Sequence, residues 1–150
     1  MALRQIRLYG DEILRKKSKK VEVVDEKIRQ ILNDMADTMY NTKNGGGLAG
    51  PQVGILKQLV VIDMGQGLIK LVNPKIIERE GTQEVIEGCL SIPNKWGKVT
   101  RPKKVKIHAL NENGKEITLT GTGDLAKCFC HEIDHLNGIL FTDLVTEYIK

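Results

Sequence analysis

Cys128, Cys130, His131, Glu132 and His135 crowd into one short stretch of this 150-residue chain. The run His131-Glu132-Ile133-Asp134-His135 has the HExxH spacing. Residues four apart on a helix share a face one turn apart, so both imidazoles can reach one cation. Glu132, about 100° round the helix from His131, can reach a water on that cation. The bland alternative is two surface histidines beside an unrelated glutamate.

Two histidines leave a metal under-ligated. Cys128 shares their face, but Cys128 to His135 spans about 10.5 Å of helix axis. Donors around one tetrahedral metal lie roughly 3–4 Å apart. Three collinear ligands on a straight helix fit that badly, and Cys130 points to another side. The third ligand is expected from another segment. The remaining cysteine is Cys89, in Glu87-Gly88-Cys89-Leu90-Ser91, where a neighbouring glycine lets the backbone approach closely. A Cys89-His131-His135 set would leave a fourth position for water, the mark of a catalytic rather than a structural site.

These residues need a scaffold. One domain, residues 1–150, is the default for this length, with roughly 70% of the unfolded chain's surface buried. Ile28, Ile31, Leu32, Met35 and Met39 form one apolar stripe, predicting a helix over Val24–Tyr40 with Asp25 at its start and Asn44-Gly45-Gly46-Gly47 stopping it. Asp11–Lys17 could form one or two further turns. Strands are predicted at Gln58–Asp63, Lys70–Val72, Ile76–Arg79 and Glu84–Ile86. Val99–Leu110 contains an alternating, half-buried strand. Asn113-Gly114 predicts a hairpin into Glu116–Thr120. A second helix begins near Asp124 and ends at Asn137-Gly138. The expected class is α+β: antiparallel β-sheets packed around a C-terminal metal-binding HExxH helix, with an amphipathic N-terminal helix.

A net charge of +4 is mild, and its lysines and arginines read as a solvated face rather than a DNA-binding surface. No apolar run has the length of a membrane span, and the N-terminus lacks the pattern of a signal peptide. Three cysteines without an export signal suggest a reducing cytoplasm. The glycine run is not a phosphate loop, because no Lys-Ser/Thr follows it and it ends a helix instead of opening one.

Along essentially its whole length the chain resembles the bacterial peptide deformylase family. Three motifs stand in that family's order: GGGLAGPQ at Gly45–Gln52, EGCLS at Glu87–Ser91 and HEIDH at His131–His135. DEILR at Asp11–Arg15, LVNPKI at Leu71–Ile76 and VTRPKKVKI at Val99–Ile107 support them. Two positions depart from the family pattern. Gly50 replaces an alanine, which is expected to loosen the loop before Gln52, and Cys130 replaces a glutamine.

The resemblance implies hydrolysis of the N-formyl group from the initiator methionine of newly synthesised polypeptides, releasing formate. It implies a water nucleophile on a metal held by Cys89, His131 and His135, with Glu132 as general base and then acid. The Gln52 side-chain amide and the Leu90 backbone N–H would be the oxyanion donors. Gly46 and Gly47 would pair with the peptide backbone like an added strand. Ile86, Leu90, Leu125 and Cys128 are candidates for the methionine pocket. Glu87, Arg101 and Asp134 are candidates for a charge-paired set that orients the ligands. One divalent metal per chain is expected: Fe(II) in the cell, with Zn(II), Ni(II) or Co(II) able to take its place. The implied partners are N-formylmethionyl ends of nascent chains and, weakly, the ribosome; neither DNA nor membrane is expected. Two other classes compete: an HExxH-type metallopeptidase, for which only Asp143 and Glu147 follow the helix as acidic ligands, and a non-catalytic metal-binding relative, against which an intact Glu132 argues.

Overall fold

The first helix, α1 (Glu26–Tyr40), starts where the Asp25 carboxylate accepts the Ile28 N–H at 3.0 Å. This satisfies one of the amide groups that a helix start leaves unpaired. A computed structural model of the chain describes residues 3–42 and 45–149. Asn41 caps α1, so the helix ends ahead of the glycine run; Asn44, assigned part of the stop, lies outside the described residues. The apolar stripe Ile28, Ile31, Leu32, Met35 and Met39 is buried.

That stripe packs on one face of a five-stranded antiparallel sheet. Its members are β1 (Gly47–Ala49), β2 (Leu59–Ile62), β3 (Ile69–Glu80), and the two strands Lys104–Leu110 and Glu116–Thr122. Counting β4 (Gln83–Cys89) and β5 (Ile92–Arg101) between them in sequence, the last two are β6 and β7, and the order is β1-β2-β3-β6-β7. Every residue of β2 is buried because both faces are covered. Leu59 and Val61 face α1, whereas Val60 and Ile62 face α2 (Gly123–Leu136), along with Leu71, Val105, Ile107 and Ala109. A second sheet, β4-β5-β8, is closed by β8 (Glu147–Ile149). Its inner face joins Leu14, Leu140 and Phe141 in a smaller core. The class is α+β, with antiparallel sheets and two α-helices among the described residues.

Several predicted elements differ from those observed. Asp11–Lys17 forms a single 3-10 turn, Glu12–Arg15, capped by Asp11. The stretches Lys70–Val72 and Ile76–Arg79 belong to one strand, β3, whose register slips around Asn73. Asn73 takes φ +53° and pairs its amide with Val21 N–H and C=O, both at 2.9 Å, so the irregularity is absorbed without a turn. The stretch Val99–Leu110 divides at Pro102-Lys103 between β5 and β6, which lie in different sheets. Pro102 lacks the N–H that a continuous ladder would need. Arg101 therefore ends one sheet just before the chain crosses to the other. Among the described residues, no helix is long and apolar enough to cross a membrane.

Candidate metal centre

The centre lies where α2 passes the inner face of β4 and the turn after β1. Residues two apart on a strand share a face, so Glu87 and Cys89 of β4 both point inward. On α2, His131, Glu132 and His135 are buried at 8%, 4% and 0% exposure. One donor atom each from Cys89, His131 and His135 lie within 4.8 Å of one another. Cys89 Sγ is 3.3 Å from His135 Nε2. That matches the spacing of two ligands whose bonds to one cation are near 2.0–2.3 Å.

The second ring of contacts decides which nitrogen each imidazole can offer. His131 Nδ1 lies 2.7 Å from Glu87 Oε1. Burial pushes the Glu87 carboxyl up, but Arg101 and His131 outweigh it and hold its pKa at about 2. Glu87 is therefore a carboxylate and accepts, so Nδ1 donates to it and Nε2 is the nitrogen left for a metal, which would take the place of any proton there. Arg101 grips Glu87 with two bonds of 2.6 and 2.9 Å and Asp134 with one of 2.6 Å. Arg101 and Glu87 are only 5% and 2% exposed. Such a buried charge set is tolerable only because each member is hydrogen-bonded by another. The three residues singled out as charge partners, Asp134, Arg101 and Glu87, thus form one chain that ends on His131.

The donors suit a cation. A thiol and two imidazoles form a soft, nitrogen-rich set of the kind that divalent zinc, iron, nickel or cobalt accepts. Burial works against a proton on His131, yet Cys89 and Glu87 hold its pKa well above the usual value: the position favours positive charge. Burial drives His135 the other way, toward the neutral imidazole that a metal requires. Glu132 Oε1 and His135 Nδ1 are buried with no hydrogen-bond partner among the described residues.

Glu132 is the other chemical group here. Burial raises its pKa, partly offset by His131, to about 7. A carboxyl poised near neutrality can both take and return a proton. Gly47 lies beside it: a Cβ there would stand 2.7 Å from Glu132 Oε2 and 2.9 Å from Cys128 Sγ. Gly47 thus lets β1 lie directly against the carboxylate.

Gln52 sits in the 3-10 turn Gly50–Val53 and is 1% exposed. Its orientation is unambiguous. The Ala49 N–H can only donate, and it points to Oε1 at 3.0 Å. Nε2 therefore carries the hydrogens; it donates to Ser91 Oγ at 3.1 Å and lies 3.5 Å from Cys89 Sγ. Ser91 is fully buried. The sequence reading of EGCLS assigned roles to Glu87, Gly88, Cys89 and Leu90 and none to Ser91. The expected loosening at Gly50 is not found. Ile55 N–H bonds to Gly50 C=O at 3.0 Å, and the turn is buried throughout.

Above the donors opens a cleft of about 410 Å³, bordered by Gly46, Gly47, Ile86, Leu90, Trp96 and Cys128. Burial and the nearby Glu132 raise the Cys128 thiol well above its usual pKa, so it behaves as an apolar wall. Leu125 does not border the cleft: it packs toward Gly121 of β7 and the main core. The error has a simple cause. One turn before Phe129, Leu125 shares that residue's sheet-facing side rather than the side of His131. Cys130, the other departure from the family pattern, is 3% exposed in the main core, and burial raises its thiol to about 11. Trp96 and Met64 at the cleft's edge carried no signal in the sequence.

The sequence pattern of the polypeptide deformylase family matches residues 3–149. A Clostridium acetobutylicum protein described as peptide deformylase 2 is 76% identical over 150 residues, covering all of both chains. A peptide deformylase of Acetivibrio thermocellus is 60% identical over 99% of this chain and 87% of its own. Among solved structures, the peptide deformylase of Thermotoga maritima superposes with a TM-score of 0.94 at 38% identity, over 97% of this chain and 99% of that one. That of Synechococcus elongatus, in complex with actinonin, gives 0.93 at 44% identity, over 96% and 79%.

Proposed function

The chain belongs to the polypeptide deformylase family and is a hydrolase of formylated nascent peptides; from that premise we propose which residues perform the reaction. The observation that carries the reading is the meeting of Cys89, His131 and His135 donors within 4.8 Å, beside a buried Glu132 at the floor of a cleft. These three residues hold one divalent metal, Fe(II) in the cell, and residues 1–150 act as one domain around it. What the metal supplies when bound is Lewis acidity: a more acidic water and a polarised formyl carbonyl.

The protein's own groups do the rest. Glu132 takes the proton of the attacking water and returns it to the departing amine, the role its pKa near 7 suits. Gln52 spends one N–H on Ser91 and turns the other toward Cys89 and the cleft, ready to meet the oxyanion. The Leu90 backbone N–H, next along the chain from Cys89, is the second donor. Glu87 fixes the His131 ring, and Arg101 with Asp134 fixes Glu87. The peptide lies between two sheet edges, β1 with the preceding Gly46 and β4 at Ile86–Gly88, and pairs with the former as an added strand. The methionine side chain enters beside Cys128 and Leu90.

The competing metallopeptidase reading would need a further ligand after the helix. Asp143 is instead paired with Arg15, and Glu147 with Lys98. The test is an anaerobic assay of metal-loaded protein on formyl-Met-Ala-Ser and on the unformylated peptide. Release of formate from the first, with both peptide bonds left intact, is the expected result. Peptide-bond cleavage without formate would overturn the reading.

A further inference from the structure

Trp96 is the chain's only tryptophan, and it stands 46% exposed at the mouth of the cleft. Its position is built. In the pairing of β4 with β5, Glu87 opposes Gly97 and Cys89 opposes Ile92. One residue of β4, Gly88, therefore faces four of β5, Pro93–Trp96, which bulge outward. Asn94 takes φ +64° within that bulge, a conformation asparagine tolerates better than most residues. Bulges of this kind re-aim a side chain. Here the indole is laid across the bare backbone of Gly88: a Cβ at that position would fall 2.5 Å from ring atoms Cε3 and Cζ3. Ile86, two residues before Gly88 on the same face of β4, is 52% exposed and borders the same cleft. A held aromatic ring and a branched aliphatic chain, each about half exposed, thus form an open apolar wall beside the site.

A peptide paired along β1 alternates its side chains between opposite sides. With the methionine directed inward beside Cys128, the next side chain points outward, to the mouth. We propose that Trp96, with Ile86, is a specificity-determining wall that contacts the residue following the methionine and favours large apolar or aromatic side chains there. The inference rests on the reading of the cleft as the formyl-peptide site and adds a selectivity to it.

The test compares formyl-Met-Phe-Ala with formyl-Met-Gly-Ala on metal-loaded wild type, Trp96→Ala and Trp96→Phe. Wild type should prefer the phenylalanine peptide roughly two- to tenfold in kcat/KM, the span expected of one aromatic contact. The preference should reside in KM, vanish in Trp96→Ala and largely survive in Trp96→Phe. On the glycine peptide the three proteins should differ less than on the phenylalanine peptide. The single tryptophan supplies an independent readout on wild type. Its fluorescence should change saturably with the product peptide Met-Phe-Ala, at lower concentration than with Met-Gly-Ala. Equal losses on both peptides, or an unchanged preference in Trp96→Ala, would overturn the proposal, as would identical fluorescence titrations. If none of the proteins releases formate from either peptide, it is the reading of the cleft itself that fails.

Discussion

At the floor of the cleft Glu87, Arg101, Glu132, His131 and His135 are each under 10% exposed, and Glu87 alone is held by three hydrogen bonds. At its mouth Ile86, Trp96 and Met64 are 52%, 46% and 38% exposed and offer apolar surface. The floor spends buried charge to hold two imidazoles and a carboxylate in one geometry, since any member left unpaired in a low dielectric is costly. The mouth carries no such constraint. Substitutions at the floor should therefore remove activity or stability, and those at the mouth should redistribute preference among substrates.

The sharpest break is Cys89→Ala. It deletes one of three donors while leaving His131 with its Glu87 partner. Bound metal should drop from one equivalent toward none and formate release to background, as read by elemental analysis beside the assay. Next comes Gln52→Ala, which removes one proposed oxyanion donor: kcat should fall roughly 100- to 1,000-fold at full metal content. A fall confined to KM would instead mark Gln52 as a ground-state contact. Arg101→Met acts one step further from the chemistry. It strands Glu87 as a buried, half-paired carboxylate, which should cost about 3–5 kcal/mol in urea unfolding. Metal affinity should weaken about 10- to 100-fold as the His131 ring loses its support. The smallest effect is expected at Cys130→Ala. This thiol is buried against the sheet, away from the donors, so about 1 kcal/mol of stability should be lost with kcat/KM unchanged. A kinetic effect there would mean that the sheet face of α2 reports to the site, and the contrast between regions would need redrawing.

How much of this was legible beforehand follows the same division. HExxH announces itself because helix geometry alone places His131 and His135 together. The α1 stripe and the Lys104–Leu110 alternation are equally local signals. Cys89 could be argued from what a metal still lacks, but only the fold brings β4 to α2. Arg101 could be named as a charge partner of Glu87 and Asp134, but its lysine-rich stretch gave no sign that it is buried. Its burial comes from the break at Pro102, which parts β5 from β6 and leaves Arg101 between two carboxylates. Ser91 gave no sign of gripping Gln52, because a serine's partner depends on a turn 39 residues away. Leu125 was assigned to the wrong face of α2. Trp96 was passed over because its place depends on a bulge opposite Gly88 that no periodicity reveals.

The central claim is that three donors hold the metal and Glu132 moves the proton, two separable duties within adjacent residues. Glu132→Gln, purified anaerobically and compared with wild type for metal stoichiometry and formate release, separates them. One equivalent of divalent metal in both proteins, with formate release by the variant reduced by about 100-fold or more, is the predicted result. Full metal content together with undiminished formate release would contradict the account.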